Sequence, residues 1–169
     1  LAVGFLVNLI FAVLYSITVL VYYRIGRLPA VTPWVPIPED SYYLYQAAWT
    51  IPWGLATWIL ISGIAYLLTP AQDGERPVSF EDALLICGLA WIVPNLFLMW
   101  IPETLLVPFG ISWPMWLETL RLMVFPPLWQ AWLVGLGLHE MAGVSWLRGL
   151  LIGVVTVLAF FIMFLAFMR

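Results

Sequence analysis

The sequence predicts an all-α fold, a polytopic membrane helical bundle with about five transmembrane helices. Hydrophobic residues make up 64% of the 169 residues and charged residues only 9%, whereas soluble domains carry about 25% charged residues. One crossing of a bilayer needs about 20 apolar residues, so the length allows about five spans in a single domain. Prolines interrupt the third and fourth segments, which predicts that both are kinked. The predicted spans are 1–23, 44–68, 81–101, 114–138 and 146–168.

The first segment has no charged residue before Arg24, and tyrosines lie near its end. Aromatic residues followed by arginine are typical of a membrane exit. The stretch 26–41 then carries four prolines, Pro29, Pro33, Pro36 and Pro38. A continuous helix is excluded there, and we expect an extended, polyproline-like loop. It serves either as a stiff connector or as a segment on which a peptide docks.

The second segment follows two acidic residues, Glu39 and Asp40. Negative charge is favourable at a helix N-terminus, so these residues support a helix start here. Pro52 predicts a kink early in this segment. Gly54 and Gly63 allow a neighbouring helix to approach closely.

The third segment begins with Ser79 and, three residues later, Asp82. This spacing predicts a capping box. We expect the regular helix to end near Val93, because Pro94 follows. Asn95 beside it is the best single candidate for a binding role, since transporters hold substrates at interrupted helices. The alternative is a plain kink whose freed carbonyl is met by a neighbouring group.

The fourth segment carries Pro126-Pro127 near its middle and a pair of opposite charges near its start. Glu118 and Arg121 are three residues apart and can pair on one face of a helix. A charge at the bilayer centre costs about 2.5–3.5 kcal/mol on insertion scales. We therefore expect an ion pair at the membrane interface and not a buried charge relay.

The last segment has small residues at every fourth position, Ser145, Gly149 and Gly153. Such a stripe allows close helix packing in membranes. It is either the contact face of a homodimer or a packing face inside one bundle.

Little in the sequence predicts chemistry at a catalytic or metal site. The chain has one Cys, Cys87, and one His, His139, so neither an intrachain disulfide nor a protein zinc site is expected. His139 is a weak candidate for the axial ligand of a tetrapyrrole; the alternative is a residue that caps a helix C-terminus. Most of the eleven Trp residues fall near predicted helix ends, where interface anchoring explains them. We expect no enzyme activity, no cofactor and no metal.

The net charge indicates which classes of partner the chain can bind. The formal net charge is −3, which argues against nucleic acid, since nucleic-acid binding needs basic patches. We expect contacts with membrane lipid and with other membrane subunits or a second copy. The expected location is a membrane crossed several times, of the prokaryotic inner (cytoplasmic) type.

The order of elements resembles the Yip family of Ypt/Rab-interacting membrane proteins, in its bacterial and archaeal form. The resemblance covers 42–169 and rests on the loop with Gly74, Val78-Ser79-Phe80, Gly88, Pro94, Trp129 with Trp132, and the run HEMAGVSWLRG from His139 to Gly149. It implies five transmembrane helices and no catalytic chemistry. Leu89 stands where the family has a Gly-Tyr pair, and the Asp-Leu-Tyr-Gly segment of eukaryotic members is absent. Rab binding is therefore not carried over.

The first expectation for function follows from the resemblance. It is a non-enzymatic membrane-organising scaffold or an accessory subunit of a larger membrane complex. The alternative comes from the residues themselves and is a small-solute transporter or channel with its site at the broken third helix.

Overall fold

A computed structural model describes residues 2–26, 37–71, 77–106, 109 and 113–167. Most of the proline-rich stretch 26–41 lies outside the described residues, as does the loop residue Gly74. All regular structure in the described part of the chain is helical. The predicted all-α class is therefore confirmed.

The described residues form seven α-helices and two π-helical turns. The helices are α1 (Ala2–Arg24), α2 (Tyr42–Leu68), α3 (Phe80–Asn95), α4 (Ile101–Leu106), α5 (Met115–Thr119), α6 (Phe125–Ala142) and α7 (Trp146–Phe167). The first π turn, Leu96–Trp100, joins α3 to α4. The second π turn, Leu120–Val124, joins α5 to α6.

Four helical stretches among the described residues are long and apolar enough to cross a membrane. They are Val3–Arg24, Tyr42–Leu68, Phe80–Leu106 and Trp146–Phe164, which makes this a multi-pass membrane protein. The segment predicted as a further span, 114–138, is helical from Met115 but is not among the four. Its later half carries Gln130 and leads into His139 and Glu140, which lowers its apolar character. The count of five spans stays a prediction.

The start of α3 confirms the predicted capping box. The backbone N–H of Asp82 donates to Ser79 Oγ at 3.1 Å, and the backbone N–H of Ser79 donates to Asp82 Oδ2 at 3.0 Å. Two N–H groups that the first helical turn leaves without partners are satisfied in this way. The helix formed by the apolar run that follows therefore begins at a fixed residue.

The centre of the bundle is formed by α2, α3 and α6. Ile61 and Ala65 from α2, Cys87 from α3, and Val134 and Leu138 from α6 belong to one buried cluster. Helix α1 packs against α2 and α3, and α7 packs against α6 and α2. Large apolar side chains such as those of Leu147 and Ile162 lie on the outside. An apolar exterior of this kind fits a lipid solvent.

Both proline interruptions coincide with a π turn. Pro94 lies inside α3, and the first π turn begins two residues later at Leu96. Pro126 and Pro127 occupy the first turn of α6, directly after the second π turn. Proline cannot donate the backbone hydrogen bond of a regular helix, and a π turn changes the hydrogen-bond register. A bend of the helix axis at these prolines stays a prediction.

Helices α6 and α7 approach each other through small residues. A Cβ atom added to Gly149 would lie 2.8 Å from Gly135 O, and one added to Gly153 would overlap the backbone of Ala131. Ser145 precedes α7, and its backbone carbonyl oxygen accepts a hydrogen bond from the Gly149 N–H at 2.9 Å. Two members of the predicted small-residue stripe, Gly149 and Gly153, thus pack inside the bundle.

The close contact of α6 with α7 predicts that an added methyl group destabilises the fold at Gly153 but not at Gly63. Gly153→Ala should lower the free energy of unfolding by about 1–3 kcal/mol, because overpacking forces the backbones apart. Gly63→Ala is the matched control: a Cβ atom at Gly63 has no atom within 4 Å, and alanine favours a helix over glycine by about 1 kcal/mol. The measurement is denaturant unfolding in detergent, followed by circular dichroism. Equal stability of the two variants would contradict the packing described.

Candidate functional site

A cavity of about 260 Å³ lies where α1, α2, α3, α6 and α7 meet the two π turns. Aromatic and other apolar side chains make up most of its wall. The polar side chains that line it are Asn8, Tyr15, Thr18, Tyr22, Tyr43, Gln46, Thr50, Asn95, Glu118 and Gln130. A mostly apolar cavity with a few convergent polar groups is the usual form of a small-molecule site.

Of the two predicted site residues at the broken third segment, Pro94 and Asn95, Asn95 lies at this cavity. Asn95 lines it, and its Nδ2 donates to Trp91 O at 2.7 Å. Pro94 precedes it, is buried and withdraws the N–H that a helix would offer to Ala90 O. The predicted binding side chain therefore lies at the cavity, whereas Pro94 is not among the residues that line it.

Two hydrogen-bond donors at the cavity are buried without a partner among the described residues. They are Gln130 Nε2 and Trp100 Nε1, and both residues line the cavity. The Gln130 side chain is only 2% exposed. A buried donor left unpaired costs about 1–3 kcal/mol. Neither donor has a structural role visible among its described neighbours.

Three aromatic rings form a connected wall across three helices. The rings of Trp53 and Trp91 meet edge to face with centroids 5.8 Å apart, and those of Trp91 and Phe160 with centroids 4.8 Å apart. Trp53 Nε1 also donates to Met163 O at 3.3 Å. Such aromatic pairs add about 0.5–1.5 kcal/mol each beyond their buried area. This wall ties α2 and α3 to α7.

Arg121 ties the two π turns together. It is 6% exposed, its Nη1 donates to Leu98 O at 2.7 Å, and its guanidinium lies over the Trp113 ring, 5.5 Å from the centroid. In a regular helix Leu98 O would accept from residue 102, which is Pro102 and has no N–H. The arginine thus supplies the donor that the proline withdraws.

The predicted ion pair of Glu118 with Arg121 stays a prediction. Glu118 lines the cavity, and the described bond of Arg121 Nη1 goes to the backbone of the first π turn. The arginine is enclosed by protein, where a backbone carbonyl and an aromatic face both stabilise its charge.

His139 lies at the other end of α6, away from the cavity. Its Nδ1 donates to Val144 O at 2.8 Å, and its ring meets the Trp146 ring edge to face at 6.2 Å. Gly143, in the left-handed region with φ of 60°, ends the helix between them. A role of His139 as cofactor ligand stays a prediction. Among the described residues, no group of three or more His, Cys, Asp and Glu could hold a metal ion.

No family model, curated protein or solved structure matches this chain. The resemblance to the Yip family therefore stays a prediction that rests on the residues quoted for it. The structure places one of them, Gly88, in a crowded contact. A Cβ atom there would lie 2.6 Å from Asn8 Nδ2 and 3.1 Å from Trp58 Nε1.

Sequence reasoning missed several residues of the site. Trp91, in the middle of the predicted third span, was not singled out, and it is buried inside the bundle and lines the cavity. Gln130 was not singled out, although an amide inside an apolar segment is costly unless it is paired. That cost was the signal which could have found it. Trp100 offered no comparable signal, because an indole N–H near a helix end is ordinary.

The bond between Arg121 and the first π turn generates a prediction. Arg121→Leu should lower the free energy of unfolding by about 1.5–3 kcal/mol, the contribution of a hydrogen bond to a charged group. The loss should be smaller in a Pro102→Ala background, because the alanine of that variant supplies an N–H to Leu98 O. The measurement is a double-mutant cycle of unfolding free energies. Equal losses in both backgrounds would show that Arg121 does not replace the missing proline donor.

Proposed function

We propose that this multi-pass membrane protein binds a small neutral solute in the cavity beside its interrupted third segment and moves it across the membrane. The observation that carries the proposal is that both π turns border the same cavity. Met99 and Trp100 come from the first turn and Met123 from the second.

Irregular backbone at membrane depth supports such a role. A membrane tolerates it only where it is buried in protein or lines a cavity, and π turns are frequent at functional sites. Transporters place their substrates at interrupted helices.

The charge at the cavity disfavours an anionic solute. Among the described residues that line it, amides and hydroxyls outnumber the one carboxylate, Glu118, and none of them is Arg or Lys. An anion would meet this carboxylate without a lining cation to compensate. Neutral solutes meet only groups that donate or accept hydrogen bonds.

A pair of glycines on α2 allows a matched test of transport. Gly54 lines the cavity, and Gly63 does not appear in its wall. The protein is reconstituted in liposomes, and light scattering records swelling in glycerol, erythritol and xylitol. We expect faster swelling than in protein-free liposomes, a rate lowered to the protein-free value by Gly54→Leu, which fills the cavity, and by Asn95→Ala. Gly63→Leu should keep the wild-type rate.

Two outcomes would count against transport. One is a wild-type rate equal to that of protein-free liposomes for every solute. The other is an unchanged rate in Gly54→Leu, with circular dichroism and elution volume showing that the variant is folded.

A membrane-organising scaffold or accessory subunit of the Yip type is the second candidate function. It is favoured by the packing role of residues that carry the resemblance, since Gly88 lies against Asn8 and Gly149 against Gly135. Native mass spectrometry of protein purified from its own membrane distinguishes the two. Stoichiometric companion polypeptides would favour the accessory subunit, and a lone chain or simple multiple would favour a self-contained protein.

A further inference from the structure

We infer that the solute of the cavity is a short polyol, whose hydroxyl groups donate hydrogen bonds to the amide oxygens of Asn8 and Asn95. The inference rests on the proposed function and names the chemical class of its solute.

Two amides of the wall are held in one orientation by their own helices. Asn8 Nδ2 donates to Gly4 O at 2.8 Å, and Asn95 Nδ2 donates to Trp91 O at 2.7 Å. A carbonyl oxygen only accepts, so the amide atom that faces it is the nitrogen in both residues. Each bond holds the nitrogen against the helix backbone, and the oxygen Oδ1 is therefore the amide atom directed away from that backbone.

Both amide oxygens are accessible from the cavity. Asn8 and Asn95 line it, and neither Oδ1 accepts a bond from the described part of the chain. Protein encloses the unpartnered donors Gln130 Nε2 and Trp100 Nε1 of the same wall, but it does not enclose these two oxygens. Because the Asn8 side chain is only 7% exposed, the cavity is the space that its oxygen faces.

Other donors of the wall are bonded to the protein. Thr18 Oγ1 donates to Leu14 O at 3.2 Å, and Thr50 Oγ1 donates to Gln46 O at 2.7 Å. Trp53 Nε1 donates to Met163 O. The carboxylate of Glu118, which also lines the cavity, accepts only. Among the groups with these described bonds, the wall thus offers a solute acceptors more than donors.

A wall of acceptors selects a solute that carries donors. A polyol has one O–H donor on each carbon and no charge, whereas a ketone, an ester or an ether of the same size has no donor. The rings of Trp53, Trp91 and Phe160 line the cavity as well and can pack against the C–H groups of the carbon chain. Benzene, with six heavy atoms, occupies a cavity of about 150 Å³, so a cavity of about 260 Å³ accommodates a four-carbon polyol such as erythritol.

The test compares two solutes that differ only in their donors. In 1,4-dideoxy-1,4-difluoroerythritol, fluorine replaces both terminal hydroxyls of erythritol with little change in size, and fluorine cannot donate. Uptake of each labelled solute into liposomes is measured well below saturation, and uptake into protein-free liposomes is subtracted. Wild type should take up erythritol about five- to hundredfold faster than the fluorinated compound, the range of two net hydrogen bonds.

The variant Asn8→Leu assigns part of this preference to one amide oxygen, because leucine has a similar volume and no acceptor. The preference should fall by about two- to tenfold, with little change in uptake of the fluorinated compound. Thr69→Val is the matched control. Thr69 is 2% exposed and donates to Ala65 O at 2.8 Å within its own helix, but it does not line the cavity. Its variant should keep the wild-type preference.

The outcomes separate this inference from the proposed function. Equal protein-dependent uptake of both solutes by wild type would reject the polyol class and leave transport itself supported. Uptake of neither solute above the protein-free level would reject both. An equal loss of both solutes in Asn8→Leu, with the preference unchanged, would assign Asn8 a structural role and overturn its part in recognition.

An organic ammonium ion also carries donors for these oxygens and for Glu118. Ethylammonium chloride is therefore compared with sodium chloride at equal concentration on both sides of the liposome membrane. We expect equal erythritol uptake in the two salts, because removing an ion from water is costly. Inhibition by ethylammonium, together with equal uptake of the two polyol probes, would assign the oxygens to a cation and overturn the inference.

Discussion

The structure depends on one constraint: its backbone carbonyl groups need hydrogen-bond donors inside the membrane. A bilayer core offers no hydrogen-bond donor, and the prolines of the third and fourth segments withdraw the N–H groups that regular helices would use. The chain replaces them locally. Arg121 donates to Leu98 O, and π turns shift the register of the remaining bonds. These substitutions keep the interrupted segments helical.

Both interruptions border the cavity. Met99 and Trp100 of the first π turn and Met123 of the second line it, and π turns are frequent at functional sites. The space is bounded by rings that hold one another in place, from Trp53 to Phe160. Some of its polar residues, Asn95, Trp100 and Gln130, lie near the interruptions, and others such as Asn8 and Thr50 come from α1 and α2. The backbone interruptions and part of the cavity wall thus share one region of the bundle.

Local signals in the sequence predicted the elements well. The second span was expected at 44–68 and is Tyr42–Leu68, and the Ser79 cap forms because its partners are three residues apart. The end of α3 was expected near Val93, yet the helix includes Pro94 and ends at Asn95, since one lost bond does not end a helix that is packed against its neighbours on several sides. The π turns depend on neighbouring helices, so no local pattern predicted them, whereas the amide of Gln130 inside an apolar segment was a local signal.

The close contact of α6 with α7 limits how this protein moves. Gly149 lies on Gly135 and Gly153 on Ala131, with no side chain between the backbones. Sliding one helix past the other by a single residue would drive a side chain into a carbonyl, so the two form a rigid hairpin that is closed at Gly143. If the cavity exchanges solute as proposed, this hairpin moves as one unit, and any opening displaces the other helices against it.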